Sequence, residues 1–368
     1  MRDAGSSGRS YAVAVLPGDG IGSEVIGEAE AALQAVAEQC GFGVTTQRFE
    51  AGAQRALDKG EPMDPDLPDE LSRFDAILCG PFGDPRVHDT IVVWGTILAL
   101  RQRFDQYVNL RPARVLPGTS PPLRDVGPGD LDIVVVRENT EGEYGGIGGR
   151  VHRDKPGEVA VETSVFTRAG IERIVRYAFE YARAHGRRRV TSATKSNALR
   201  HAMPFWDDVS LAVAAEFPEV EHELALIDAL AARVVSDPGS LDVIVASNLF
   251  GDILTDITAA ASGSLGTAPS ANIDPTRANP SLFQAIHGSA PTIAGKGIAN
   301  PVAELLSVAL MLEFLGEAEA ARGLERAVDL AAADPAARTA DLGGTATTSE
   351  AGAAVRERLA EALAAATA

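Results

Sequence analysis

This 368-residue chain lacks a disulfide framework, an excess of positive charge and any apolar run long enough to span a bilayer. Its 2 cysteines, Cys40 and Cys79, can build neither a set of disulfides nor a four-thiolate metal site. They read as reduced thiols of a cytoplasmic protein. Lys and Arg number 33 against 51 Asp and Glu, giving a formal net charge of -18. Such a balance argues against nucleic acid, whose phosphates need a basic surface, and against anionic membranes. The opening MRDAGSSGRS is polar, lacks the apolar core of a signal peptide and reads as a lead-in. No internal repeat and no charged low-complexity tail is visible.

What is present points to an α/β protein of two domains, because the chain is long for a single core. Short apolar strands at Ala12–Leu16, Ala76–Cys79, Asp132–Val136 and Val243–Ala246 alternate with stretches of helical spacing. Helices are expected at Ser23–Gln39, Trp94–Arg103 and Ala169–Ala184, the last closed by Gly186. Glu143–Arg153 is glycine-rich and reads as a hairpin or protruding arm, with β-branched residues following at Val159–Thr167. The C-terminal residues read as Ala-rich helices broken by Asp-Pro and Gly-Gly.

Charged residues in separate segments suggest one chelating, dianionic substrate. Asp252 and Asp256 lie one helical turn apart in NLFGDILTD, and Asp228 adds a third acid from LIDALAAR. With no His or Cys beside them, a hard ion such as Mg2+ or Mn2+ suits them better than zinc. The alternative is acids at a helix N-terminus facing solvent. Arg101 follows ILAL, Arg111 sits in NLRP and Arg137 follows VVV. An arginine placed after an apolar run needs a carboxylate partner, either a substrate's or a neighbouring acid's. Lys195 in SATKSNA and Tyr144 in RENTEGEY are able to move protons; each otherwise reads as a surface or hairpin residue. GDGIG after the first strand does not have the G-x-G-x-x-G spacing and reads as a tight turn. HGSAPTIAGKGIANP, residues 287–301, is a better cofactor loop, since small residues allow close backbone approach.

The motifs LPGDGIG, RFDQYVNLRP, VVRENTEGEY, SATKSNA, ASNLFGDILTD and HGSAPTIAGKGIANP occur in this order across residues 11–350. Together they resemble the β-decarboxylating dehydrogenases: isopropylmalate, isocitrate, homoisocitrate and tartrate/D-malate dehydrogenases. The tartrate/D-malate branch is the most similar. The resemblance implies an isopropylmalate dehydrogenase-like fold with mixed sheets and helices on both faces, not a standard Rossmann domain. It implies a large domain from 1–106 and 263–368, and a smaller one from 107–262 with a dimerisation arm at about 143–168. It also implies a homodimer with shared active sites.

By the same resemblance, Arg101, Arg111 and Arg137 would hold the departing carboxylate. Trp94, Thr96 and Ile97 would line the substrate side chain. Asp252 and Asp256, with Asp228 from the neighbouring subunit, would hold the metal. Lys195, also from the neighbour, would help remove the hydroxyl proton, and Tyr144 would protonate C3 of a metal-stabilised enolate after CO2 loss. Gln284, His287, Gly288, Ser289, Ala290, Thr292, Ile293 and Asn300 would contact the cofactor.

Thr292 departs from the family pattern. NAD users carry Asp there, and NADP users carry Lys-Tyr where this chain has Thr292-Ile293. Ile293 matches the NAD form, so NAD is expected, with NADP or dual use open. Gln284 replaces a Glu common near the nicotinamide ribose. Gly95 and Thr96 make the substrate wall small and polar, favouring D-malate or tartrate over 3-isopropylmalate. Arg86 and His88 could approach the cleft and serve an unusual C3 substituent. The rival is a non-catalytic regulatory paralogue, which the retained aspartates, Lys195 and Tyr144 argue against.

Overall fold

The computed structural model describes residues 8–366; the polar lead-in over residues 1–7 lies outside the described residues. The central strands form where short apolar runs are covered on both faces, whereas β2, β6 and β7 are largely exposed. In chain order they are β1 (Ser10–Leu16), β2 (Gly43–Arg48), β3 (Ala76–Cys79), β4 (Val108–Arg114), β5 (Asp132–Glu138) and β6 (Gly142–Val151). Then come β7 (Val159–Val165), β8 (Arg189–Thr194), β9 (Glu221–Leu226), β10 (Val243–Ala246), β11 (Pro269–Ile273) and β12 (Ser281–Ala285). Every residue of β3 and β10 is buried.

A ten-stranded mixed sheet runs β2-β1-β3-β12-β11-β4-β5-β10-β8-β9. Its flanks are parallel, β2-β1-β3-β12 at one end and β5-β10-β8-β9 at the other. The β12-β11-β4-β5 pairings between them are antiparallel, so the two parallel blocks point in opposite directions. Strand β11, from the C-terminal part, pairs with β4 and joins the blocks into one surface. Helices cover both faces.

Helix Gly22–Cys40 buries Val25, Ile26, Ala29, Leu33 and Val36, as its spacing requires, and stops at Gly41 in the left-handed region. The helix expected at Ala169–Ala184 spans Arg168–Ala184. Its cap is His185, and Gly186 (φ 65°) stands one position later, where Arg187 N donates to Ala182 O (2.8 Å) in a Schellman arrangement. The single helix expected over Trp94–Arg103 is instead two, Asp89–Gly95 and Ile97–Arg103, broken at Thr96. There the Thr96 hydroxyl donates to Val92 O (2.6 Å), taking an acceptor that a continuous helix gives to a backbone N–H.

The glycine-rich stretch forms a separate antiparallel ribbon, β6-β7. Ile147, Val151, Val159, Val161 and Val165 are exposed on it. Two strands alone are marginal, and apolar side chains displayed this way call for a covering surface. The Ala-rich helices Val302–Leu315, Ala318–Ala333 and Thr348–Glu357 pack at the other end, interrupted near Asp334-Pro335 and Gly343-Gly344 as the sequence suggests. Among the described residues no helix is long and apolar enough to cross a membrane.

Candidate active site

Antiparallel pairing of β4 with β5 sets Asn109 opposite Arg137, so Arg111, two residues along, lies on the same face as Arg137. Helix Asn248–Ser262, leaving β10 beside β5, lays Asp252 over them. Arg137 pairs with Asp252 Oδ1, and Arg111 Nη1 reaches the same oxygen at 3.3 Å. Tyr144 Oη donates to Asp252 Oδ2 (3.0 Å), and the Arg137 guanidinium lies 5.5 Å from the Tyr144 ring centre. Arg101, buried on helix Ile97–Arg103, is near enough to feel the charges of Arg137, Arg111 and Asp252.

The charges in this cluster do not balance. Arg101, Arg111 and Arg137 are 5%, 5% and 1% exposed, yet among the described residues Asp252 is the one carboxylate that pairs with any of them. Arg101 makes no ion pair among the described residues, and the buried Nε atoms of Arg101 and Arg111 have no partner. Burial pushes the Arg101 guanidinium well below its ordinary value, and the charges of Arg137 and Arg111 push it further. The same causes bring Arg111 down to about 10. Burial works against the Asp252 charge, but Arg137 and Arg111 outweigh it and hold the carboxyl below its usual range. Tyr144 is raised by burial and then by Asp252, so its phenol stays protonated. A buried cation without a partner is costly, and a bound carboxylate would relieve it.

Several neighbours that sequence reasoning missed hold this geometry. Asn248 Oδ1 accepts from Arg137 Nε (3.0 Å) and Nη2 (2.7 Å), and Thr255 Oγ1 accepts from Arg111 (2.6 Å). In RENTEGEY each glutamate fixes a turn. Glu138 accepts from Thr140 N and Glu141 N, and Glu141 from Thr167 N. Glu143 accepts from Ser247 Oγ (2.9 Å) and Leu249 N (3.0 Å), tying the Tyr144 strand to the start of the Asp252 helix. Three glutamates within six residues were visible in the sequence, but nothing in it indicated that Glu141 and Glu143 would reach helix starts distant in the chain.

Asp256 lies one turn beyond Asp252, exposed and with no hydrogen-bond or ion-pair partner among the described residues; burial, then Asp252, raises its pKa. Two carboxylates on one helix face, with no His or Cys beside them among the described residues, fit a hard cation. Asp228 does not join them. It pairs with Lys195 Nζ at 2.6 Å, and that hydrogen bond lowers its pKa. Among the described residues no three His, Cys, Asp or Glu side chains of a single chain are placed to hold a metal ion.

Of the three residues expected to line the substrate side chain, Trp94 is 39% exposed, Ile97 is buried, and Thr96 is fully buried with its hydroxyl turned inward to Val92 O. Arg86 is folded back on Asp84 (2.8 Å) and Gln54 (3.0 Å), and His88 Nδ1 accepts from Thr90 N to cap a helix. Both side chains are thus engaged locally.

In the 287–301 loop, Ile21 N donates to Ser289 O (2.9 Å), so the GDGIG turn is the seat of this loop. A Cβ at Gly20 would lie 2.0 Å from Ser289 O, which requires glycine there. Ile293 and Ala290 (φ 41°) pack against the Ile21–Val25 cluster. Gly288 and Thr292 are exposed, and Gln284 is partly exposed on β12 opposite Ser270. Both ends of the Asn300 amide are occupied, by Asp341 (2.9 Å) and Val302 N (3.0 Å). His287 Nδ1 lies 3.1 Å from Gly288 O, while its buried Nε2 has no partner; burial lowers its pKa and favours the neutral ring. An orphaned ring nitrogen beside a backbone of small residues fits a nucleotide base.

The comparisons agree with this geometry. A family model described as isocitrate/isopropylmalate dehydrogenase matches residues 12–355. The chain is 50% identical to a probable tartrate dehydrogenase/decarboxylase of Agrobacterium vitis, over 93% of this chain and 96% of that one. It is 48% identical to the decarboxylating D-malate dehydrogenase of Escherichia coli (strain K12), over 92% and 96%. The crystal structure of isocitrate dehydrogenase from Methylococcus capsulatus superposes with a TM-score of 0.86 at 36% identity, covering 95% of this chain and 99% of that one. The likeness runs through the whole mixed sheet and every strand that carries the arginine cluster, and the chain therefore belongs to the isocitrate/isopropylmalate dehydrogenase family of oxidoreductases.

Proposed function

We propose that this enzyme catalyses oxidative decarboxylation of a (2R)-2-hydroxy dicarboxylate of the malate type, with D-malate or tartrate the best fit, using NAD and a divalent cation. The observation that carries this reading is a buried, positively unbalanced cluster in which, among the described residues, Arg101 makes no ion pair and the one paired carboxylate also binds a phenol. The names of the tartrate and D-malate relatives support the choice of substrate.

Arg101, Arg111 and Arg137 would bind the carboxylate that departs and exclude water from it. Asp252 and Asp256, with Asp228 of the partner subunit, would hold Mg2+ or Mn2+. That ion would supply Lewis-acid polarisation of the 2-oxygen and its adjacent carboxylate. Lys195 of the partner subunit would take the hydroxyl proton, directly or through water. NAD, held at its adenosine end by the 287–301 loop, would supply the acceptor for the hydride at C2. The bond from C3 to its carboxylate then breaks, CO2 departs, and the electron pair passes into the C2–C3 unit. Tyr144 delivers its phenolic proton to C3 and recovers one from solvent.

Residues 1–106 and 263–368 would form the large domain and 107–262 the smaller one, with the site in the groove between them. The exposed apolar ribbon would be the dimer arm. His287 and its loop would take the adenosine end of NAD, with Thr292 carrying no charge to repel a 2′-phosphate. A cytoplasmic location belongs to the same reading and is supported by two unpaired cysteines.

The test pairs NAD and NADP separately with D-malate, tartrate, 3-isopropylmalate and isocitrate in the presence of Mn2+, following nicotinamide reduction. Turnover with D-malate or tartrate is expected. Turnover with 3-isopropylmalate or isocitrate alone would overturn the substrate assignment, and none with any pair would favour the non-catalytic paralogue.

A further inference from the structure

Tyr144 stands on an irregular piece of β6. Gly142 pairs with Val165 and Ile147 with Thr163, so residues 143–146 stand opposite the single Ser164. Backbone looped out of a ladder in this way has no partner strand to hold it. One end of the bulge is pinned by the Glu143 carboxylate on Ser247 Oγ and Leu249 N. At the other end, Gly146 has φ 71°, and a Cβ there would lie 2.7 Å from Cη2 and 3.0 Å from Cζ3 of Trp94. The indole thus rests on bare backbone two residues past Tyr144.

Trp94 comes from the stretch assigned above to the large domain. It is the penultimate residue of helix Asp89–Gly95, two positions before the break at Thr96 that precedes the Arg101 helix. Behind it the chain is tight, because a Cβ at Gly95 would fall 2.3 Å from Pro62 Cγ. In front, the ring walls an open cavity of about 330 Å³ shared with Gly146, Gly148 and Arg150, so it has room to leave its seat.

We propose that Trp94 is a positioning residue for Tyr144: its indole, seated on Gly146, holds the 143–146 bulge so that the phenol stays over Asp252. The wall that faces the substituent at C3 is then mechanically joined to the group that protonates C3. The proposal rests on Tyr144 being the proton donor of the reaction proposed above. Glycine is required at 146 because any side chain would unseat the ring.

The test is a double-mutant cycle of Gly146→Ala and Trp94→Ala, read in two assays on the intact enzyme with Mn2+. One assay is nicotinamide reduction with D-malate; the other is pyruvate formation from added oxaloacetate, which bypasses hydride transfer. Gly146→Ala is expected to slow pyruvate formation at least about tenfold and to spare hydride transfer. On the Trp94→Ala background the same change should cost less than about threefold, because the clash is gone while any backbone strain at 146 persists.

Iodide quenching reads the seat without activity. Trp206, the other tryptophan, is fully buried with its Nε1 on Ser192 Oγ (2.8 Å), so quenching reports Trp94, and Gly146→Ala should increase it. Equal losses on both backgrounds, or unchanged quenching, would overturn the positioning role alone. Pyruvate formation left intact by Tyr144→Phe would overturn the proton-donor reading and the positioning role together.

Discussion

Two ion-paired regions of this chain carry its candidate chemistry, and they are opposites. The Arg101–Arg111–Arg137–Asp252 cluster is buried, with more positive charge than its one paired carboxylate can match. The Lys195–Asp228 pair is one cation with one anion, the aspartate exposed to solvent. The first is electrostatically incomplete without a ligand. The second is self-satisfied in a single chain, as a half-site would be while it awaits a partner's surface. Catalytic sites are where such imbalance is tolerated, because the ligand removes it.

The comparison breaks most decisively at Asp252. Asp252→Asn should lower kcat/KM by about a thousandfold or more while circular dichroism shows an intact fold. Its melting temperature should fall, since Arg137 and Arg111 lose their counter-charge. Near-normal turnover would refute the metal assignment.

Subunit complementation sharpens the contrast. Lys195→Met should be nearly inactive, yet melt like the parent because its pair lies at the surface. Mixing it with Asp252→Asn should restore about a quarter of parental activity, from hybrid dimers with one intact site each. No recovery after mixing would mean that the two regions do not meet across subunits.

Arg101→Met tests the imbalance itself. Turnover should drop by about a hundredfold, while stability rises by roughly 1–3 kcal/mol as an unpaired buried charge is removed. A loss of stability in thermal melts would show that Arg101 is already compensated.

A smaller effect is expected in the cofactor loop. Thr292→Asp should raise the NAD over NADP binding ratio by about tenfold, measured by nucleotide titration, since a carboxylate accepts from ribose and repels a 2′-phosphate.

Glu304 separates ordinary core chemistry from the site. It is fully buried and accepts from Ala285 N (3.1 Å), and burial pushes its pKa up to about 8. A carboxyl whose folded value is raised stabilises the fold below its unfolded value and loses that contribution as pH rises through the folded one. Stability should therefore decline between roughly pH 4.5 and 8 by a few kcal/mol. Glu304→Gln should flatten this profile in melts across that range; an unchanged profile would assign the decline elsewhere.

Much of this was legible in the sequence, with exceptions that share a cause. Helix Gly22–Cys40 and strands β3, β5 and β10 follow from periodicity, because burial of one face or of both is written directly into residue order. The helix break at Thr96 was not visible, since it depends on one hydroxyl finding the Val92 carbonyl. Asn248, Thr255 and Glu143 were missed because a polar residue reads the same in the sequence whether it faces solvent, caps a helix or grips an arginine from another strand. Arg86 and His88 left an open question about the cleft, and their local hydrogen bonds account for both side chains.

By itself, the sequence determined the α/β class and the helices and strands with strong periodicity, and it supplied the residues proposed here to bind a dicarboxylate and a hard cation. These follow from residue type and near-neighbour spacing, and they survive any arrangement of the segments. Only the tertiary structure decided that one sheet, reversed in direction at β12-β11-β4-β5, brings Arg111, Arg137 and Asp252 together. It alone placed Asp228 with Lys195 rather than with Asp252, and left Arg101 without an ion pair among the described residues. The reason is physical: charge balance is a property of distances between segments far apart in the chain, and residue order does not specify those distances.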